Sequence, residues 1–280
     1  MSRLPQRPGD RPLVMGVVNV TPDSFSDGGR WLDPASAIEH GLALLQEGAD
    51  LLDIGGESTR PGASRPAPQE EIDRVVPVVR GLAALGAVVS VDTMRAQVAT
   101  AALEAGAAIV NDVSGGLADE AMAATVAAAG VPFVAMHWRG HSKDMQSRTH
   151  YDDVVQDVCR ELASRRDALL AAGIAADQLV LDPGLGFAKT AAQNWTLLGA
   201  IDTFTALGQP LLVGASRKSF LGTVGSVDGS VVPADQRDAA TAAVSVLLAQ
   251  AEVWGIRVHE VHSTRAACDV IARVREAGRG

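Results

Sequence analysis

The chain has 280 residues, 47% hydrophobic and 20% charged, which is enough apolar material for a large core and argues against global disorder. A formal net charge of -9, from 24 Lys+Arg against 33 Asp+Glu, argues against a nucleic-acid or anionic-membrane binder, whose affinity comes from basic patches. Two cysteines, Cys159 and Cys268, are too few for a disulfide framework or a thiolate metal site, and no apolar stretch nears the roughly 20 residues of a membrane span; a cytoplasmic protein is the expectation.

Residues 1–12, MSRLPQRPGDRP, lack the apolar segment of a signal peptide and read as a flexible arm ahead of one domain over 13–280. From residue 13 a β-branched run and an Ala/Leu/Glu/Arg run alternate. In chain order the reading is strand 13–20, helix 34–47, strand 51–55, helix 69–85, strand 87–92, helix 95–105, strand 108–113 and helix 119–129. It continues with strand 132–137, helix 152–172, strand 179–182, helix 194–207, strand 210–214, helix 233–251, strand 256–261 and helix 263–277. Eight β/α units with no linker between them predict a parallel sheet closed into a (β/α)8 barrel. The alternative is an open doubly wound sheet, but no G-x-G-x-x-G follows the first strand, which weakens its dinucleotide-binding form.

Each strand ends in polar residues: Asn19, Asp53, Asp92, Asn111 and Asp112, His137, Asp182, Ser216-Arg217-Lys218, and Arg257 with His259. Any one of these reads equally as a helix cap or turn former. Eight such junctions converging on the C-terminal face of a barrel, where active sites are built, point to an enzyme.

Asp92, Asn111 and Asp182 come from three strands, and carboxylates in a barrel mouth need partners because buried unpaired charge is costly. A flat heterocycle with N–H donors and a carbonyl acceptor would satisfy them; a divalent metal held by Asp92 and Asp182 is the alternative, without a third carboxylate or an H-x-x-x-H spacing to support it. With 21 Arg and 3 Lys in the chain, Lys218 beside Arg217 suggests a place where a compact charge is wanted. Arg217, Arg257 and His259, on loops after strands seven and eight, fit the usual anion site of such barrels. Two long Gly/Pro/Ser-rich loops, 21–29 with Phe25 and 55–63 with Arg60, have the composition of lids, and the turn 182–187 could set Phe187 beside a ring.

Eight ordered segments, MGVVNVTPDSFSDGG, DIGGESTRPGA, VSVDTMRA, IVNDVSGG, MHWRG, LDPGLGFAKT, LVGASRKSFLG and RVHEV, closely resemble the dihydropteroate synthases of bacteria from residue 14 to about 270, and the Asn194-Trp195 region and the Ala/Arg bias resemble actinobacterial members. Glu260 stands where many members have Asp, and residues 1–12 have no counterpart. Related pterin-binding barrels that move a methyl group to a corrinoid lack the STRPG and SRKSF loops, and inactive paralogues have degraded loops. The resemblance implies a TIM barrel that condenses (7,8-dihydropterin-6-yl)methyl diphosphate with 4-aminobenzoate and is inhibited by sulfonamides. It further implies that Asp92, Asn111, Asp182 and Lys218 hold the pterin, and that Asn19 coordinates Mg2+. Thr59, Arg60, Arg257 and His259 would meet the diphosphate; Phe25, Pro61, Phe187, Ser216 and Arg217 would line the aminobenzoate site. Arg60, Lys218, Arg257 and His259 are the expected catalytic residues, and a homodimer is the expected assembly.

Overall fold

The structure, a computed structural model, describes residues 4–21, 33–58, 65–141 and 145–279. Eight parallel strands pair in the order β6-β5-β4-β3-β2-β1-β8-β7: β1 (Leu13–Asn19), β2 (Leu51–Gly55), β3 (Val89–Asp92), β4 (Ile109–Asp112), β5 (Phe133–Met136), β6 (Leu179–Asp182), β7 (Leu212–Val213) and β8 (Gly255–Val258). A parallel bridge between Leu181 and Leu211, with Leu181 N donating to Pro210 O at 2.9 Å, closes the ring as a (β/α)8 barrel.

The connecting helices are α1 (Pro34–Gln46), α2 (Pro68–Ala84), α3 (Ala96–Glu104), α4 (Met122–Ala129), α5 (Val154–Ala171), α6 (Ala191–Gly199), α7 (Ile201–Thr205), α8 (Asp238–Gln250) and α9 (His262–Ala277). The helix expected over 194–207 is two. It starts earlier, in a capping box where Thr190 and Gln193 bond each other's backbone N–H, and it breaks at Ala200, whose φ of -111° leaves the helical region. The helix expected from 233 begins at Asp238, because Ala234–Gln236 forms a 3₁₀ turn.

Two apolar layers follow from the two-residue period of the strands. Leu13, Met15, Leu51, Ile109, Val134, Val180 and Leu212 form one cluster inside the ring. Their chain neighbours, Val14, Leu52, Val110, Phe133, Leu179, Leu181 and Val213, belong to the larger cluster between strands and helices. The interior is therefore apolar where the strands begin. Residues 4–12 lie against that end: Leu4 is buried in the inner cluster with Trp254, whose Nε1 donates to Pro5 O at 3.1 Å. Arg11 holds Asp50 through two hydrogen bonds of 2.6 and 2.7 Å.

Leu4→Ala is expected to lower unfolding free energy by about 2 kcal/mol, the low end for a buried leucine. Denaturant titration with an unchanged midpoint would show that Leu4 does not seal the barrel.

Candidate active site

The inward alternation that begins with Leu13 and Met15 reaches Asn19 on β1, and it brings Asp53 of β2, Asp92 of β3, Asn111 of β4 and Asp182 of β6 to the opposite, C-terminal half of the interior. Strand register aligns Asn19 with Gly55, Gly55 with Asp92, and Asp92 with Asn111, one row across four strands. A Cβ at Gly55 would stand 3.7 Å from Asn19 Oδ1 and 3.8 Å from Asp92 Oδ2, so these two oxygens approach the same point.

Arg257 of β8 ties this row together. Its Nε donates to Asp53 Oδ2 at 2.6 Å and its Nη2 to Asp92 Oδ2 at 2.7 Å, while Asn111 Nδ2 donates to the same Asp53 oxygen at 2.9 Å. Asp53 is fully buried, yet its Oδ1 makes no hydrogen bond among the described residues; neither does the buried hydroxyl of Ser90, its register partner on β3. Among the described residues, three carboxyls (Asp53, Asp92, Asp182) thus share the mouth with two cations, Arg257 and Lys218. Burial pushes the Asp92 carboxyl well above the usual range, against the pull of Arg257 and with help from Asp53. Burial also raises Asp182, opposed chiefly by Lys218, and lowers Lys218 to about 8, opposed chiefly by Asp182. Such a floor favours a ligand that brings N–H donors.

The β6–α6 connection forms the wall beside it. Asp182 Oδ1 accepts from Gly184 N at 2.7 Å, and Gly184 and Gly186 take φ of +69° and +83°, where a side chain would be strained. Lys218 Nζ donates to Leu185 O and lies 4.7 Å from the centre of the Phe187 ring. Ser216 Oγ lies 3.0 Å from His259 Nδ1 and accepts from His259 N at 3.1 Å, which joins the ends of β7 and β8. Arg217 donates through Nε and Nη2 to Asp238 at 2.8 Å each.

Asn19, Asp92, Asn111, Asp182, Lys218, Arg257 and His259 are therefore brought to one end of the barrel, with Phe187 and Ser216 beside them. Arg257, expected to meet a diphosphate, is bound to two carboxylates, and Arg217, expected toward a second substrate, is held by α8. Phe25, Thr59, Arg60 and Pro61 lie outside the described residues. Asp112, the neighbour of Asn111, faces away and caps the following turn through Ser114 N and Gly116 N.

Sequence reasoning missed the role of Asp53, although a charge at the inward position of Leu-Leu-Asp-Ile-Gly is a visible signal. It also missed a cluster behind the wall. His137 Nε2 meets Glu161 Oε2 at 2.9 Å, Arg139 also binds Glu161, and buried Lys189 lies 3.1 Å from His137 Nδ1. Glu161, held ionised by His137 and Arg139, can only accept, so the ring carries its proton on Nε2 and Nδ1 accepts from Lys189, whose pKa burial lowers to about 7.

Four similarities to known proteins bear on this site. Residues 15–259 match the family described as pterin binding enzyme. The dihydropteroate synthase of Mycobacterium leprae is 54% identical over 267 residues, covering 95% of this chain and 94% of that protein. A structure of Xanthomonas albilineans dihydropteroate synthase with 4-aminobenzoic acid superposes with TM-score 0.87 at 44% identity, covering 95% and 94% of the two chains. A Yersinia pestis dihydropteroate synthase in a sulfonamide drug complex superposes with TM-score 0.90 at 41% identity, covering 98% and 99%.

Burial and Lys189 lower the His137 pKa from 6.5 to about 4, against the pull of Glu161. An unfolded histidine therefore takes up its proton first, and stability is lost as pH falls from 6.5 toward 4. Nitrogen NMR should find His137 neutral at pH 6 with Nδ1 bare; a ring titrating near its ordinary value would contradict this geometry.

Proposed function

We infer how this site works from one fact: the chain belongs to the pterin-binding enzymes and, within them, to the dihydropteroate synthases. It condenses (7,8-dihydropterin-6-yl)methyl diphosphate with 4-aminobenzoate to 7,8-dihydropteroate and pyrophosphate. The observation that carries the reading of the site is the floor of three carboxyls and one carboxamide around Arg257.

The amino-pyrimidinone edge of a pterin presents N–H donors beside a carbonyl. Asp182 accepts from two of those donors, Asn111 offers a donor and an acceptor, and Asp92 and Lys218 complete the set. In the reaction the methylene carbon–oxygen bond breaks and its electron pair leaves with the diphosphate. The lone pair of the aromatic amine forms the new carbon–nitrogen bond, and the amine proton is lost. The amine is neutral at pH 7, so no strong base is required; the leaving group needs charge neutralisation and the amine needs orientation. Arg257 Nη1 makes no hydrogen bond among the described residues and, with His259, Thr59 and Arg60, supports the diphosphate.

Among the described residues no three His, Cys, Asp or Glu side chains gather as a metal site. One carboxamide oxygen, Asn19 Oδ1, near Asp92 fits a cation that brings most of its oxygens with it. Asn19 would hold Mg2+ in that way, and the ion would neutralise charge on the departing diphosphate.

Phe187, Ser216 and Arg217, with Phe25 and Pro61, are the side chains assigned to 4-aminobenzoate and to sulfonamides competing for its place. Both described cysteines are free thiols, which suits the reducing cytoplasm, and no described helix is long and apolar enough to cross a membrane. A second copy of the chain is the proposed partner; exposed Leu247 of α8 and Val270 and Val274 of α9 offer it apolar surface.

Pyrophosphate release that requires both substrates tests the reaction; methyl transfer to a cobalamin, or pterin binding without turnover, would overturn it. Asp182→Asn replaces a two-point acceptor with a mixed donor and acceptor. At about 1.5–3 kcal/mol for a hydrogen bond to a charged group, pterin affinity should fall roughly 10- to 100-fold by calorimetry. Unchanged affinity would remove Asp182 from the site.

A further inference from the structure

The wall between Asp182 and α6 is held from two sides by two lysines, and only one of them faces the mouth. Lys218 takes the carbonyl of Leu185. Lys189, buried to 4% exposure, donates from behind to Gly184 O and Phe187 O at 3.0 Å each and to His137 Nδ1 at 3.1 Å. Three ammonium hydrogens meet three acceptors. His137 is fixed in turn by Glu161 of α5, and Tyr151 donates to Ala188 O at 3.0 Å.

The backbone these bonds hold is one that would not persist alone. Gly184, Gly186 and Ala188 all have positive φ, and Ala188, at +48°, has a side chain in the left-handed region. Between them the carbonyls of residues 184, 185, 187 and 188 each accept from a side chain. Burying an ammonium behind an apolar wall is unfavourable unless all its hydrogens are bonded. Its place is therefore informative.

We propose that Lys189 is a positioning residue for catalysis: its ammonium fixes the 184–187 turn so that Phe187 and the Leu185 carbonyl meet Lys218, and it thereby sets affinity for 4-aminobenzoate. The proposal rests on the assignment of Phe187 to that substrate. Lys189 touches neither substrate and acts through the backbone of Phe187. Methionine at this position keeps most of the length and removes every donor; glutamine, also one atom shorter than lysine, keeps two N–H donors; arginine keeps the charge but replaces a tetrahedral head with a planar fork.

The test is steady-state kinetics on the full-length chain with 4-aminobenzoate varied at saturating pterin diphosphate. Lys189→Met should raise the KM for 4-aminobenzoate at least about tenfold while kcat stays within about threefold. Lys189→Gln should fall between that variant and the wild type, and it serves in its place if the methionine variant does not fold. Lys189→Arg should not restore the wild-type KM, because charge alone does not make the three bonds. Phe187→Ala should raise the same KM, and adding Lys189→Met to it should change the KM by no more than about twofold, since both act on one element. Wild-type KM in Lys189→Met or Lys189→Gln would overturn the proposal, as would multiplying effects in the double variant. An unchanged KM in Phe187→Ala alone would instead overturn the assignment of Phe187, and the proposal with it. A raised KM in Phe187→Ala with silent Lys189 variants would leave that assignment standing and remove Lys189.

Discussion

The bridge from Arg257 to Asp53 and Asp92 is the interaction around which the site is arranged. It joins β8 to β2 and β3 across the inside of the barrel, at 2.6 and 2.7 Å, with Asp53 wholly removed from solvent. Such a group is poor evidence for stability, because desolvating the charges offsets much of their attraction; losing one partner, however, costs about 3–5 kcal/mol. What it contributes is definition. Arg257 aims one oxygen of each carboxyl, and the second oxygen of Asp53 is left unpaired among the described residues. With one more carboxyl than cation at the mouth among the described residues, the floor is matched to a ligand rich in N–H donors.

The barrel supplies the rest by separating tasks along its axis. The first inward residues of the strands, with Leu4 and Trp254 beneath them, make a dry base. The last inward residues carry the polar groups, on strand ends whose placement is fixed by register. Behind one wall, Lys189, His137 and Glu161 complete each other's hydrogen bonds and let a turn with three left-handed residues persist. The interior is thus rigid below, charged above and braced on one side.

Much of this was legible in the sequence because a parallel strand buried on both faces leaves an unbroken apolar run. All eight strands were placed within a few residues, and Asp92, Asn111, Asp182, Arg257 and Lys218 stood out as polar ends of such runs. Pairing among them was not legible. Arg257 looks like an anion ligand from its position, and only the closed ring shows that Asp53 and Asp92 stand within its reach. Asp53 was named among the polar strand residues, but nothing in the sequence showed that its carboxyl would receive both Arg257 and Asn111. Lys189 lies seven residues after Asp182 in a glycine-rich turn, and nothing local says that its side chain folds back beneath that turn. The break at Ala200 and the packing of residues 4–12 depend likewise on tertiary contacts that periodicity does not carry.

The most direct measurement of the central claim is a calorimetric double-mutant cycle on Asp92→Asn and Arg257→Gln with a pterin as titrant. If Arg257 acts on the pterin through the carboxyls it aims, each single variant weakens binding and the double variant loses less than the two losses together, with a coupling of about 1–3 kcal/mol. Losses that add to within about 0.5 kcal/mol would mean that Asp92 and Arg257 meet the ligand independently, and the floor would not be organised by their bridge.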